Sequence, residues 1–202
     1  MPILFYSQES AETIFSQALR IINQGGIIAY PTESFYALGV LATDKNAVRR
    51  LFELKKRPSD KPLPLIVGNK DTLLTVAKNI PDQAEIFILK YWPGALTLIF
   101  HAQDTVPPMI TGNTEKVAVR IPGKSLALDL VKSLKMAVTA TSANISSTPP
   151  AVDAESVKKY FGDRIDLIID GGTAPGGRPS TILDVTVTPP IVLREGSIIL
   201  PK

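Results

Sequence analysis

The sequence predicts an α/β protein, a single domain with a twisted mixed β-sheet and helices packed around it. Three observations carry that prediction. Strand-length apolar runs alternate with segments of helical period early in the chain, and strands dominate late, which favours a mixed sheet over a purely parallel one. The chain has 202 residues, 45% of them hydrophobic, enough for one good-sized core. No internal repeat, linker or low-complexity tract interrupts it, and its 17 prolines sit at the ends of apolar runs (Pro31, Pro58, Pro93, Pro122, Pro149, Pro150), where they act as punctuation.

The elements follow in order. Ser10 is placed to cap a helix whose apolar positions Ile14, Phe15, Ala18, Leu19 and Ile22 recur at helical spacing, with Gly25 as its stop. Ile27 to Tyr30 is a strand that should end at Pro31. Asp44 caps a helix carrying Val48, Leu51, Phe52 and Lys55, and Leu63 to Val67 is the next strand. Asp71 to Lys78 and Pro81 to Tyr91 read as helices. The turn Trp92-Pro93-Gly94 leads into the strand Ala95 to Phe100, with His101 capping it. Val117 to Ile121 is a strand, Ser125 to Leu134 a helix, Met136 to Thr139 a short strand and Asp153 to Phe161 a short helix. Ile165 to Asp170, Thr181 to Val185, Ile191 to Arg194 and Ile198 to Leu200 complete the strands.

Composition removes several chemistries. There are no cysteines and one histidine, so disulfides and thiol catalysis are excluded and neither a zinc site nor a redox cofactor is expected. No apolar run approaches the ~18 residues of a membrane span, and the N-terminus lacks a signal-peptide pattern; a cytoplasmic, membrane-free protein is expected. The net charge of +3 and a pI near 9.1 admit nucleotides or nucleic acid without requiring them.

The richest stretch runs from Tyr30 to Val67. Thr32, Glu33 and Ser34 present donors and acceptors in a turn at a strand end, where open α/β sheets put ligands, and Glu33 is the one acid there. Lys55, Arg57 and Lys61 follow at the end of a helix around Pro58. Taken singly, cations in a last helical turn simply complement the macrodipole and such a turn is only a turn. Together, between two apolar strands, they suit a small polar substrate held beside a polyphosphate.

Further along, Thr139 to Asn144 has no large side chain, so a ligand could approach its backbone while Ser142 and Asn144 offer hydroxyl and amide groups. An ordinary turn with local side-chain bonds accounts for it equally well. Arg120 ends an apolar strand. Its guanidinium needs an acidic partner, either an internal Asp or a ligand carboxylate. The stretch from Gly172 to Ser180 is glycine-rich but carries Arg178-Pro179 where a phosphate loop has its lysine and hydroxyl residue, so it fails that test. Ser180 could face a ligand if the loop folds over a cleft. Arg194 ends another apolar strand. Arg57, Arg120 and Arg194 either converge on an anionic pocket or form three unrelated salt bridges.

These residues resemble the YrdC-like family, the threonylcarbamoyl-AMP synthases, in its short form. The family pattern is similar to Tyr30 to Gly39, Lys55 to Leu63, Ala118 to Pro122, Ser142 to Asn144, Ser180 to Ile182 and Leu193 to Gly196, in the right order over about residues 14–198 of a single domain spanning 1–202. The resemblance implies a YrdC-like fold around a basic cleft. It implies formation of threonylcarbamoyl-AMP and pyrophosphate from L-threonine, bicarbonate or CO2 and ATP, for modification of the tRNA adenosine next to the anticodon. By position it implies Lys55 and Arg57 as catalytic and, with Lys61, Lys116, Ser142, Asn144, Pro150 and Arg194, as ATP-binding. Thr32, Gly68, Arg120, Ala140 and Ser180 would bind threonine. Mg2+ would arrive on the ATP phosphates, tRNA is a further expected partner, and TsaB, TsaD and TsaE-type proteins would complete the transfer. Ala37, Ser34 and Gly68 depart from the usual Gly, Thr and His. Two other readings stay open: a non-catalytic module binding double-stranded RNA or tRNA, and a YciO-like paralogue with a different nucleotide activity. The latter branch loses parts of the Lys-x-Arg and Ser-Ala-Asn motifs, both retained here.

Overall fold

The computed structural model describes residues 1–201. In chain order the elements are β1 (Ile3–Phe5), α1 (Ala11–Asn23), β2 (Ile28–Pro31), β3 (Tyr36–Gly39), α2 (Lys45–Lys55), β4 (Leu65–Ile66), α3 (Lys70–Leu74), α4 (Asp82–Tyr91), β5 (Leu96–His101) and α5 (Pro108–Thr111). They continue with β6 (Lys116–Arg120), α6 (Leu126–Leu134), β7 (Val138–Thr139), β8 (Thr141–Ser142), α7 (Ala154–Phe161), a 3-10 turn (Gly162–Arg164), β9 (Leu167–Asp170), β10 (Thr181–Asp184) and β11 (Ile191–Arg194).

The strands divide between two mixed sheets, of order β1-β9-β2-β3-β8 and β11-β10-β5-β6-β4-β7. In the first, β9 runs parallel to β1 and β2, while β3 is antiparallel to β2 and β8. In the second, β5 is parallel to β10 and antiparallel to β6. One residue, Ala140, carries the chain from β7 in one sheet to β8 in the other. That seam is fastened by buried polar groups. The Thr139 amide donates to Val40 O at 3.1 Å, its hydroxyl accepts from the Val40 amide at 3.1 Å, and the Tyr30 hydroxyl donates to Thr139 O at 2.8 Å.

Amphipathic helices cover the sheets as their apolar spacing requires. Ile14, Phe15, Ala18 and Ile22 of α1 and Leu130, Val131 and Leu134 of α6 pack with β2 and β9. A larger core joins both sheets through Ala29, Tyr36, Leu98 and Val119, closed by Val48, Leu51 and Phe52 of α2 and Val157 and Phe161 of α7. Asp44 caps α2 as expected, accepting from the Asn46 and Ala47 amides at 2.9 and 3.0 Å.

Several expectations are corrected. The Ser10 hydroxyl does not cap α1; it accepts from the Ser7 amide at 2.9 Å. The helix expected over Asp71 to Lys78 is only α3, capped by Asn69 and ending where the Thr75 hydroxyl donates back to Thr72 O at 2.7 Å. His101 does not follow β5 but is its last residue, paired with Lys116. No strand forms over Ile198 to Leu200, because the Thr181 hydroxyl takes both the carbonyl and the amide of Ile198. Pairing does not stop at Pro31, which is the last residue of β2 and lies opposite Tyr36. Strands β1, β3 and β8 and the short α5 were not anticipated.

Gly39 is required at the seam. A β-carbon there would lie 2.7 Å from both the Tyr30 ring and a Val138 methyl. Gly39→Ala is expected to destabilise the protein by about 1–3 kcal/mol through overpacking, read as a lower urea midpoint with unchanged slope.

Candidate active site

A hollow of about 260 Å³ opens beside the seam, lined by residues from segments far apart in the chain. Thr32 and Ser34 to Ala37 supply one wall, from the turn between β2 and β3 and the start of β3. That turn is closed by the Thr32 amide donating to Phe35 O at 3.0 Å and its hydroxyl donating to the same oxygen at 2.7 Å. Arg57 enters just past α2, whose end is turned by Lys56 in the left-handed conformation (φ +51°). Arg120 comes from the end of β6, Ala140 to Ser142 from the seam itself, Ser180 from the start of β10 and Arg194 from the end of β11.

The three arginines therefore converge, and they are not three salt bridges. Arg57 Nε donates to Lys61 O at 3.1 Å and Nη2 to Pro62 O at 2.8 Å. Arg194 donates from Nε and Nη2 to Ser180 O at 3.1 and 2.8 Å, and from Nη2 to Ser180 Oγ at 3.2 Å. Neither has an acid within 4 Å among the described residues. Burial lowers the pKa of both, and Arg120's charge adds to the effect at Arg194. Main-chain oxygens thus aim these cations without cancelling their charge. Arg120 alone is paired, and with Glu33 rather than the Asp the sequence suggested. Its guanidinium donates from Nη1 and Nη2 to the two carboxylate oxygens.

Ser142 lies on the exposed side of the hollow, its hydroxyl donating to Asn144 Oδ1 at 2.6 Å. Ser180 shares a hydrogen bond with Thr97 at 2.8 Å, so Thr97, Ser180 and Arg194 form one chain along the wall. The glycine-rich loop does fold over this region. The Gly176 amide donates to Ser34 O at 2.7 Å, and the Tyr36 hydroxyl donates to Gly172 O at 2.7 Å.

Of the residues singled out from sequence, Thr32, Ser34, Ala37, Arg57, Arg120, Ala140, Ser142, Ser180 and Arg194 line the hollow; Lys55, Lys61, Gly68, Lys116, Asn144 and Pro150 do not, and Glu33 lines an adjoining one. Lys55 is 2% exposed, and its ammonium donates to Ser142 O, to Asn144 O at 2.7 Å and to Asn144 Oδ1 at 3.3 Å. It lies beneath the loop that carries Ser142, as does buried Asn144, whose side chain is further engaged by Thr148 O. Lys61 is exposed, its carbonyl holding Arg57. Lys116 is at the far end of β6 from Arg120, paired with Asp184 at 3.0 Å. Gly68 faces α6, where a β-carbon would fall 2.9–3.0 Å from the Lys132 and Val131 backbone. Pro150 is half-buried outside the lining. Phe35, Tyr36, Pro64, Thr97, Thr141 and Pro179 complete the walls and were not singled out. Thr97 carried a signal, a hydroxyl alone among the apolar positions Leu96, Leu98 and Ile99.

Burial, and then the charge of Arg57, push the Lys55 pKa down from 10.5 to about 7. A depressed lysine pKa means that the folded state binds its proton less readily than the unfolded chain. The resulting penalty is complete below pH 7 and is relieved as pH rises towards 10.5. Relative to Lys55→Met, the wild type should therefore gain stability across that interval, read from urea midpoints. At neutral pH the Met variant, which leaves the Asn144 carbonyl without a donor, should be less stable by about 1–3 kcal/mol.

The Sua5/YciO/YrdC family model, described as "Telomere recombination", matches residues 20–196. A threonylcarbamoyl-AMP synthase of Pyrococcus abyssi is 42% identical over 185 residues, covering 92% of this chain and 54% of that protein. The chain thus spans about half the length of this relative. The structure of P. abyssi Sua5 complexed with L-threonine superposes with a TM-score of 0.91 at 40% identity, over 97% of this chain and 58% of that one. Escherichia coli YciO gives 0.84 at 28% identity, over 97% and 96%. With a family model over residues 20–196 and a relative 42% identical over 92% of this sequence, the chain belongs to the Sua5/YciO/YrdC family.

Proposed function

We propose that this protein is an L-threonylcarbamoyladenylate synthase, a nucleotidyltransferase that joins L-threonine, bicarbonate or CO2, and ATP with release of pyrophosphate. The observation that carries this reading is the convergence of Arg57, Arg120 and Arg194 with the hydroxyls of Thr32, Ser142 and Ser180 on one hollow. Support comes from the likeness to a relative named for that activity and to a Sua5 structure holding L-threonine. Residues 1–202 would act as one domain.

On this reading Arg120 takes the threonine carboxylate, with Thr32, Ala140 and Ser180 around the amino acid. Arg57, Arg194 and Ser142 face the phosphates. The amine and CO2 give a carbamate whose oxygen attacks the α-phosphorus as pyrophosphate leaves. The hollow contributes no nucleophile of its own. Its part is to hold the reactants together and meet developing charge with donors already in place, where positioning alone can supply ~7–11 kcal/mol. At about 260 Å³ the hollow is near the lower end of small-molecule sites (~300–1,000 Å³). That suits the threonylcarbamoyl and phosphate portions, with the adenosine towards the exposed rim at Ser142 and Arg194. Lys55 and Asn144 then act from below, by fixing the loop that presents Ser142. No carboxylate lines the hollow, so Mg2+ would enter on the nucleotide, coordinated by phosphate oxygens and water. The product would pass to TsaB, TsaD and TsaE-type partners acting on tRNA in the cytoplasm; among the described residues no helix is long and apolar enough to cross a membrane.

The test is pyrophosphate release from ATP with and without threonine and bicarbonate. Release that requires both is expected. Release indifferent to threonine overturns the proposal in favour of a YciO-like activity, and salt-sensitive RNA binding unaffected by threonine or ATP favours a binding module. Arg57→Ala is expected to cut threonine-dependent turnover by about 10²-fold or more with the fold intact. Arg120→Lys, which loses the bidentate fork, should raise the threonine KM about tenfold or more while leaving that for ATP little changed.

A further inference from the structure

Ser34, Arg120 and Ser180 line two hollows at once. The second, of about 180 Å³, adds Glu33, Arg178 and Ser197 to its walls. Across both linings Glu33 is the only acid. It is fixed at the tip of the closed turn from Thr32 to Phe35, with both carboxylate oxygens on Arg120 and Oε1 3.5 Å from the Gly123 amide. Its side chain is 25% exposed and that of Arg120 12%, so the pair is partly withdrawn from solvent yet open to a ligand. Where the two hollows meet at Arg120, they thus present a cation with an anion attached.

That arrangement discriminates between kinds of acid. A simple carboxylate drawn to Arg120 also meets the negative charge of Glu33 at the same guanidinium, and the two effects largely offset each other. A carboxylate bearing an ammonium group one carbon away answers both charges. We propose that Glu33 is a specificity-determining residue that, paired with Arg120, selects the zwitterion of an α-amino acid: Arg120 takes the carboxylate and Glu33 accepts hydrogen bonds from the α-ammonium. The proposal rests on Arg120 as the carboxylate binder and adds the group that turns away hydroxy acids of the same shape, selectivity obtained by repulsion as well as attraction.

The test compares calorimetric binding of L-threonine with that of 3-hydroxybutanoate, the same skeleton without the amine, to the full chain with a non-hydrolysable ATP analogue present. The wild type should prefer threonine by about a hundredfold or more. Glu33→Gln should reduce that ratio by about tenfold or more, the scale of a lost charge-assisted hydrogen bond. Threonine should weaken while the hydroxy acid holds or tightens. Glu33→Asp, which keeps the charge, should retain most of the preference. A ratio in Glu33→Gln equal to the wild type's overturns the role of Glu33 alone. Equal binding of the two ligands by the wild type overturns it without any variant. Failure of the wild type to bind threonine at all removes the amino-acid reading of Arg120, and this proposal with it.

Discussion

The site depends on a single crossing of the chain. Strands β7 and β8 belong to different sheets and are separated only by Ala140, so the backbone changes hydrogen-bonding partners within one residue. Buried amides and carbonyls left over at such a step would be costly. Thr139 satisfies them with its own amide, carbonyl and hydroxyl against Val40 and Tyr30, and the Ala140 amide donates to Pro64 O at 2.9 Å. Because the seam is fixed, Ser142 on one sheet faces Arg120 and Ser180 on the other. The hollow sits where strand order breaks, the usual location for a ligand in α/β sheets.

The second organising feature is how positive charge is held there. Arginines restrained by acids would be oriented but largely neutralised. Arg57 and Arg194 are restrained by the carbonyls of Lys61, Pro62 and Ser180, which fix the planar fork and leave its charge available. Partial burial strengthens what such a cation can do for an anion, since the effective dielectric is lower than water's. Arg120 is the exception, and its acid belongs to the turn that forms the opposite wall. Lys55 serves differently again. Three oxygens of the Ser142–Asn144 segment surround its ammonium, making it an internal brace.

Much of this was legible in the chain. Asp44 and the apolar spacing after it specify α2, and the apolar runs around Leu98, Val119 and Leu183 specify the central strands of the second sheet. The three arginines and the hydroxyls of Thr32, Ser34, Ser142 and Ser180 that line the hollow were picked out before any fold was known. Other features were not. β3 is the short, weakly patterned stretch Tyr36 to Gly39, and it is a strand only because β2 and distant Ser142 and Thr141 offer it ladders. The stretch Ile198 to Leu200 has a better strand composition and forms none, because the Thr181 side chain claims its backbone.

The sites divide along the same line. Residue identity and spacing determined which groups could meet a polyphosphate or an amino acid, because hydroxyls, guanidinium forks and helix caps are local properties. Depth and partnership were decided by packing. A lysine ending a helix is ordinarily solvated, and Lys55 is buried only because the seam lays three oxygens over it. Lys116 and Arg120 share a strand, yet at ~3.3 Å per residue only the latter comes to the hollow. Gly68 is turned against α6. Each outcome depends on which distant backbone arrives alongside, and only the packed chain supplies that information.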